Sequence, residues 1–316
     1  MEEVSLMPMS WALQVLLLAL AWDLILGEPP ARFHPVVIMG RAVASLRRRV
    51  PRTRLSGAAV ASLMVIGSAL CGHLLLELCS ALPGRAAEAL VLLCAAYLLK
   101  STLAFRSLLE TSRDIGRAIE KDILKARDML PALVSRNPSG LSSAQARSAV
   151  IESLSENFVD TVVSPIFFFL LLCPWGLGVE SALAFKAIST MDSMLGYRTP
   201  ELRDLGFVPA RLDDLANWLP ARLGTLFIMA AWPGRAGPAL RASLRYGRAT
   251  PSPNSGWPMA AAAGALGVRL EKPGIYVLLE EGRSPKPGDI DLALSLVGRA
   301  MGLCALTAVA ILWQLP

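Results

Sequence analysis

Sparsely charged apolar runs at residues 10–26, 57–79, 86–105 and 292–313 limit what this 316-residue chain can fold into. About 20 apolar residues are needed to cross the roughly 30 Å hydrocarbon core of a bilayer. Inside lipid every backbone polar group must be satisfied within the protein, and continuous apolar runs of this length do so as helices. The composition agrees: 54% of residues are hydrophobic and only 18% charged, against about 25% charged in soluble domains. The expected fold class is therefore all-α, a polytopic integral membrane protein with about four full transmembrane helices plus re-entrant or embedded half-helices.

Orientation follows from the cations. Residues 10–26 are preceded by Glu2 and Glu3 and followed by no small-residue cleavage pattern, which predicts a retained anchor. Arg41, Arg47, Arg48, Arg49, Arg52 and Arg54 follow with no acid among them, so this loop is expected in the cytoplasm. Residues 57–79 then cross outward and 86–105 return, with Lys100 and Arg106 flanking the cytoplasmic end. Leu108, Ile115, Ile119, Ile123 and Leu130 keep helical spacing up to the break at Asn137-Pro138-Ser139-Gly140, which predicts a cytoplasmic helical hairpin over about 106–155.

The run at 162–188 is interrupted by Pro174-Trp175-Gly176. It is either one outward crossing or a re-entrant hairpin that returns to the cytoplasm; the hairpin keeps both polar clusters on one side and is preferred. Residues 223–232 are short for a span. The stretch at about 233–290 carries Arg235, Arg241, Arg245, Arg248, Arg269 and Lys272 and is expected as a cytoplasmic loop. Together these predict one membrane-embedded catalytic domain over 1–316, in the cell membrane, with its active site facing the cytoplasm.

The net charge of +6 sits in loops beside apolar segments, with no aromatic-studded basic surface, so no nucleic-acid partner is expected. The five cysteines lie in apolar runs without CxxC spacing and read as small buried hydrophobes. His73, within the second run, reads as a packing residue.

Against this background the polar clusters stand out, because charge near a bilayer is costly and usually marks function. Glu152, Glu156 and Asp160 recur at i, i+4 and i+8, which on an ideal helix drift only about 80° and share a face with Asn157 beside them. The spacing also describes a solvated helix face, but these acids run straight into Val162-Val163-Ser164-Pro165 at a membrane boundary. They are candidate Mg²⁺ ligands or general bases. Asp213 and Asp214 precede Asn217 by four and three residues, hard oxygen donors suited to Mg²⁺ with phosphate, and Arg211 and Arg222 are candidate oxyanion clamps. Lys186 and Asp192 flank a polar run; Lys186 also fits a snorkelling cation and Asp192 an N-cap. Ser252, Asn254 and Trp257 lie in a proline-bracketed turn suited to ligand contact, and His34 in a stiff loop after the first run, where structural hydrogen bonding is an equal alternative. No phosphate-binding glycine loop, GxGxxG, HExxH or GxSxG occurs.

Several strings, in order, resemble the CobD/CbiB family of cobalamin-biosynthesis membrane proteins, the adenosylcobinamide-phosphate synthases. They are Gly27-Glu28-Pro29 with His34-Pro35-Val36, Glu152-Ser153, Glu156-Asn157, Asp160 and Ser164-Pro165. Further on come Lys186, Thr190-Met191-Asp192-Ser193-Met194, Gly196-Tyr197, Ala210-Arg211-Leu212-Asp213-Asp214, Pro220-Ala221-Arg222, Ser252-Pro253-Asn254 and Gly256-Trp257-Pro258. The chain departs from the family pattern at Asn137 and Met259, where acids are usual, and at Ser255.

The resemblance implies ligation of adenosylcobyric acid to (R)-1-amino-2-propanol or its O-phosphate, with ATP as co-substrate and Mg²⁺. Joined to the cluster readings above, that reaction gives a catalytic set of Glu152, Glu156, Asn157, Asp160 and Lys186. His34, Arg211, Arg222, Ser252, Asn254 and Trp257 would bind substrate, and Asp192, Asp213 and Asp214 would hold metal. Membrane lipid, a second copy of the chain or other corrinoid-pathway enzymes are the implied partners. Two rivals follow from the residues alone: an intramembrane Mg²⁺-dependent prenyl transferase, from Asn157-x-x-Asp160 and Asp213-Asp214-x-x-Asn217, and a non-enzymatic transporter or signalling protein.

Overall fold

A computed structural model describes residues 9–135, 137–197 and 199–314; Glu2, Glu3 and Arg136 lie outside the described residues. In chain order the helices begin with α1 (Met9–Ile25), α2 (Pro35–Arg49), α3 (Arg54–Ser80), α4 (Arg85–Thr102) and α5 (Phe105–Lys121). They continue with α6 (Ile123–Met129), α7 (Ser143–Phe158), α8 (Ser164–Leu172), α9 (Gly178–Leu195) and α10 (Phe207–Ala216). The last are α11 (Trp218–Ala231), α12 (Ala236–Tyr246), α13 (Gly256–Leu266) and α14 (Asp289–Gln314). Among the described residues the strands are β1 (Leu270–Lys272) and β2 (Tyr276–Leu278), one antiparallel pair, so the chain is essentially all-α.

Four helical runs are long and apolar enough to cross a membrane: Arg54–Ser80, Arg85–Lys121, Ser143–Trp175 and Asp289–Gln314. Their number matches the sequence expectation, but the set differs. The described part of the first apolar run is the 17-residue α1. Among the described residues it counts with the shorter apolar helices. The run entering α8 qualifies instead, because the helix before it is unbroken from Ser143.

The chain divides into two compact units, Met1–Ala104 with Ser164–Ala216 and Leu306–Pro316, and Phe105–Val163 with Asn217–Ala305. In the first unit, Thr53 caps α3 by accepting from Ser56 N. The α8–α9 connection is a short 3₁₀ turn closed by Gly176, whose φ of 73° is the left-handed conformation glycine supplies without strain. Ser181 Oγ donates to the Phe168 carbonyl at 2.7 Å and the Phe168 and Phe185 rings stack at 5.2 Å, so α8 and α9 form a helical hairpin. Along α3, His73 meets Glu180 of α9, and Arg54 at the start of α3 meets Asp204 beyond the end of α9. The two helices therefore run antiparallel, and the open end of the hairpin lies toward the arginine-bearing end of α3.

Two expectations change in this unit. Lys100 is not a flanking interfacial cation: it is fully buried, with Nζ 2.9 Å from Asp23 Oδ1 and 2.7 Å from Glu28 Oε2. Two carboxylates, from α1 and the loop after it, supply the compensation a buried ammonium needs. His73 is not a packing residue either; it is half-exposed, with Nδ1 3.0 Å from Glu180 Oε1.

In the second unit, α7 starts at a capping box in which Ser142 and Gln145 satisfy each other's backbone amides. Arg147 forks onto Glu120 at 2.7 and 2.8 Å, tying α7 to α5. Residues 233–290 are more ordered than a connector: α12 packs against an almost wholly buried α13, and β1–β2 follows. The strand pair is pinned to α7, since Glu271 N donates to Ser148 Oγ at 2.7 Å and Gln145 Nε2 to Glu271 Oε1 at 3.2 Å.

Candidate functional site

In the first unit, α9 carries Lys186, Thr190, Asp192 and Ser193. The helix runs through Asp192 to Leu195, so Asp192 is an interior residue and not an N-cap. Thr190 and Ser193 return their hydroxyls to their own helix, donating to the Lys186 and Ser189 carbonyls. The helix α10 packs on α9 and brings the charge of Asp214 to bear on Asp192. Burial, then that neighbouring carboxylate, push the Asp192 carboxyl up to about 6. A Cβ on Gly196 would fall on Asp192 Oδ1, so glycine there leaves the carboxylate its place. Arg211 is exposed and stands 3.8 Å from Asp214 Oδ2, with Phe207 beneath it.

The loop at Glu28 belongs to the same unit. His34 caps α2: Nδ1 accepts from Val36 N at 3.2 Å, so the proton sits on Nε2, which donates to Glu28 Oε2 at 3.1 Å. Both ring nitrogens are committed inside the fold. Tyr97 Oη donates to the Phe33 carbonyl and fixes the same loop.

In the second unit, the i, i+4, i+8 argument holds only as far as Phe158. A π turn at Val159–Val163 follows, and its wider spacing re-aims Asp160 relative to Glu152. Glu152 is buried, accepting from Ser148 Oγ at 2.7 Å and Tyr276 Oη at 2.6 Å. Asn157 Nδ2 donates to the Ser153 carbonyl, and Glu156 is half-buried. Asp160 accepts from Asn217 Nδ2 at 3.1 Å. Helix α10 ends at Ala216 and Asn217 precedes α11, so the helical spacing read from Asp213 and Asp214 to Asn217 is broken there.

The same unit holds Arg222. Its Nη1 donates to Asn254 Oδ1 at 2.6 Å and to the Trp218 carbonyl at 2.7 Å, and Nη2 to the Pro253 carbonyl at 3.3 Å. The guanidinium lies 4.8 Å from the Trp218 ring and 4.9 Å from that of Trp257. Ser252 Oγ accepts from Asn254 N, which shapes the turn that presents Asn254. Met259, at a position where the resembled family has an acid, is buried with Sδ 4.0 Å from Tyr276 Oη.

Sequence reading missed Asp23, Lys100, Glu180, Tyr276 and Trp218. Only Asp23 and Glu180 carried a local signal, being isolated acids in apolar surroundings. Among the described residues no three His, Cys, Asp or Glu side chains gather closely enough to hold a metal ion by themselves.

The family described as CobD/Cbib protein matches the chain over residues 16–297. The chain belongs to the CobD/CbiB family. Over 303 residues it is 56% identical to the probable cobalamin biosynthesis protein CobD of Methanothrix thermoacetophila, covering 94% of this chain and 96% of that one. It is 42% identical over 289 residues to the protein of the same description from Thermococcus kodakarensis, with 90% of each chain covered. The cobalamin biosynthesis protein CobD of Dehalococcoides mccartyi shares 36% over 310 residues, 95% of this chain and 97% of that one. No solved structure matches. The CobD/CbiB match takes in Asp192 and Asp214, Asp160 and Asn217, and Arg222 and Asn254.

Proposed function

We propose that this CobD/CbiB-family chain works in cobalamin biosynthesis as an ATP- and Mg²⁺-dependent acid–amine ligase. It would join adenosylcobyric acid to (R)-1-amino-2-propanol or its O-phosphate from the cytoplasmic face of the cell membrane. The observation that carries this reading is Asp192, desolvated and pressed by the charge of Asp214. Two carboxylates whose charges bear on one another gain from a divalent cation held by both. Mg²⁺ commonly takes one or two carboxylates and completes its shell with water and phosphate, so the pair fits without a third protein ligand. Asp192 and Asp214 would hold the ion, with Asp213 beside them, and Mg²⁺ when bound would neutralise phosphate charge.

In the proposed reaction the substrate carboxylate attacks the γ-phosphorus of ATP, releasing ADP and leaving an acyl phosphate. The amine nitrogen attacks the acyl carbon, phosphate departs with the C–O electron pair, and the amide forms. The chain's part is to hold charge and move one proton. Lys186 and Arg211 would hold phosphate oxygens. Arg222, fixed between two indoles, would present a planar guanidinium to an anionic group of the substrate. Ammonium must lose a proton before it attacks. Asp160 is the better acceptor, because Glu152 is enclosed by Ser148 and Tyr276 and serves to hold β2 on α7. Glu156 and Asn157 remain on the same helix as further polar contacts.

The test is direct. Membranes containing the protein are given adenosylcobyric acid, ATP and Mg²⁺ with each amine separately, and the corrinoid amide and ADP are quantified. Equimolar amide and ADP are expected with at least one amine; ADP-free membranes with unchanged corrinoid would end the proposal.

A further inference from the structure

A cavity of roughly 400 Å³ opens between α2, α3, α4 and α9 in the first unit, within the range of about 300–1,000 Å³ usual for ligand pockets. The proposed ligase chemistry makes no use of it. Its rim includes Phe33, Ile38, Leu63 and Leu75, all exposed, while Leu183 of α9 lies among its walls. Ser68 and Tyr97 are nearly all its polar lining, and the Tyr97 hydroxyl is already engaged by the Phe33 carbonyl. Ordered water needs two to four polar partners, so the space suits hydrocarbon rather than water.

Two further observations say what fills it. The helix α3 has the length and apolarity of a membrane span, and Ile66, Leu70 and Leu74 continue the exposed apolar surface beside the rim. The mouth is thus continuous with a lipid-facing surface. The helix α2 turns Pro35, Ile38, Met39 and Ala42 toward the cavity, an i, i+3, i+4, i+7 stripe, and ends in exposed Arg47, Arg48 and Arg49. Ala42 and Arg48 are about 9 Å apart along the helix axis, so one helix offers an apolar track and a basic end. That is the pattern of an interfacial helix attracting anionic lipid.

We propose that this cavity holds one hydrocarbon chain of an anionic phospholipid, whose headgroup lies at the basic C-terminal turn of α2. Gly67 is part of the site: a Cβ there would meet nothing within 4 Å, so the missing side chain is room for the ligand.

The test uses the full chain, purified in mild detergent after exchange into vesicles of phosphatidylglycerol or of phosphatidylcholine, with bound lipid counted by native mass spectrometry. One retained lipid per chain is expected, with phosphatidylglycerol favoured by roughly fivefold or more for each arginine engaged. G67L, which fills the cavity with a better helix former, should lose that lipid while keeping its thermal midpoint. A42L fills it from α2 and should do the same. R47Q/R48Q should keep a lipid and lose the preference for phosphatidylglycerol. Equal lipid counts in wild type, G67L and A42L would overturn the proposal. So would a wild-type chain that keeps no lipid, or one that carries a second copy of itself in its place. Ligase turnover is read separately, so loss of lipid with intact activity still supports the site.

Discussion

The side-chain amide of Asn217 donates to Asp160 Oδ1 at 3.1 Å, joining the residue before α11 to the π turn after α7. Asn217 is buried, and hydrogen bonds to a charged group are worth about 1.5–3 kcal/mol, so N217A should lower stability by about 1–3 kcal/mol. N217D should do worse, since it sets a second acid against the first. D160N keeps shape and a polar contact but cannot take a proton from the amine. It should form no amide while unfolding near the wild-type temperature, and near-normal turnover would remove Asp160 from the mechanism.

The Asp192 carboxyl yields a pH dependence of definite sign. Burial and then Asp214 raise it from the ordinary 3.8 to about 6, so the folded chain holds this proton more tightly than the unfolded chain does. Between about pH 4 and 6 the unfolded state releases a proton that the folded state keeps, so stability from this group falls as pH rises and levels off above 6. A tenfold change in proton affinity is worth about 1.4 kcal/mol, so D192N, which removes that cost, should stabilise the protein at pH 8 by roughly 1–3 kcal/mol while losing Mg²⁺-dependent turnover. In the wild type the acid limb of activity should lie near pH 6 and move lower with added Mg²⁺. A limb indifferent to Mg²⁺ would separate Asp192 from the metal.

Gly196 gives a test of geometry without changing any charge. An added Cβ would fall on Asp192 Oδ1 and lie 2.7 Å from the Asp192 carbonyl, so G196A must swing the carboxylate aside and shift the backbone at the end of α9. The Mg²⁺ concentration for half-maximal turnover should rise about tenfold or more, with the phosphate-binding side chains untouched. Unchanged Mg²⁺ dependence would mean that Asp192 does not bind the ion.

Lys100 stands between Asp23 and Glu28, with the lysine and Asp23 side chains fully enclosed. Removing one partner of a buried pair strands the other, at about 3–5 kcal/mol. K100M should therefore reduce folded yield sharply, measured by size-exclusion chromatography in detergent. D23N/K100M removes charge of both signs and should recover part of the loss.

What was legible in the sequence was whatever a local pattern carries. Apolar length disclosed the spans, Pro174-Trp175-Gly176 the turn between α8 and α9, and the prolines around Asn254 the turn that supports Arg222. Pairings made by distant segments left no trace. Tyr276 reaches Glu152 across 124 residues, His73 reaches Glu180 across 107, and Lys100 finds Glu28 across 72. Lys100 in particular reads as an interfacial anchor until its two acids are in place. The π turn at Val159–Val163 has no sequence signature, and it undoes the ideal spacing that put Asp160 on one face with Glu152.

Arg222 separates charge from shape. Its guanidinium is held by Asn254 Oδ1 and by the carbonyls of Trp218 and Pro253, with indole rings at 4.8 and 4.9 Å. These contacts use both Nη1 hydrogens and one on Nη2, leaving Nε–H and the other Nη2–H without an acceptor among the described residues. R222K keeps the charge and loses the fork and the stacking, so kcat/KM should fall about 10–100-fold, mainly through KM of the substrate whose anion Arg222 holds. Running both amines identifies that anion: a loss confined to the phosphorylated amine assigns Arg222 to its phosphate, and an equal loss with both assigns it to ATP or the corrinoid. N254D gives the complementary result, because a carboxylate against the guanidinium should hold or raise stability while neutralising the charge offered to substrate. N254D with wild-type KM values would show that Arg222 is only a strut between α11 and the turn at Asn254.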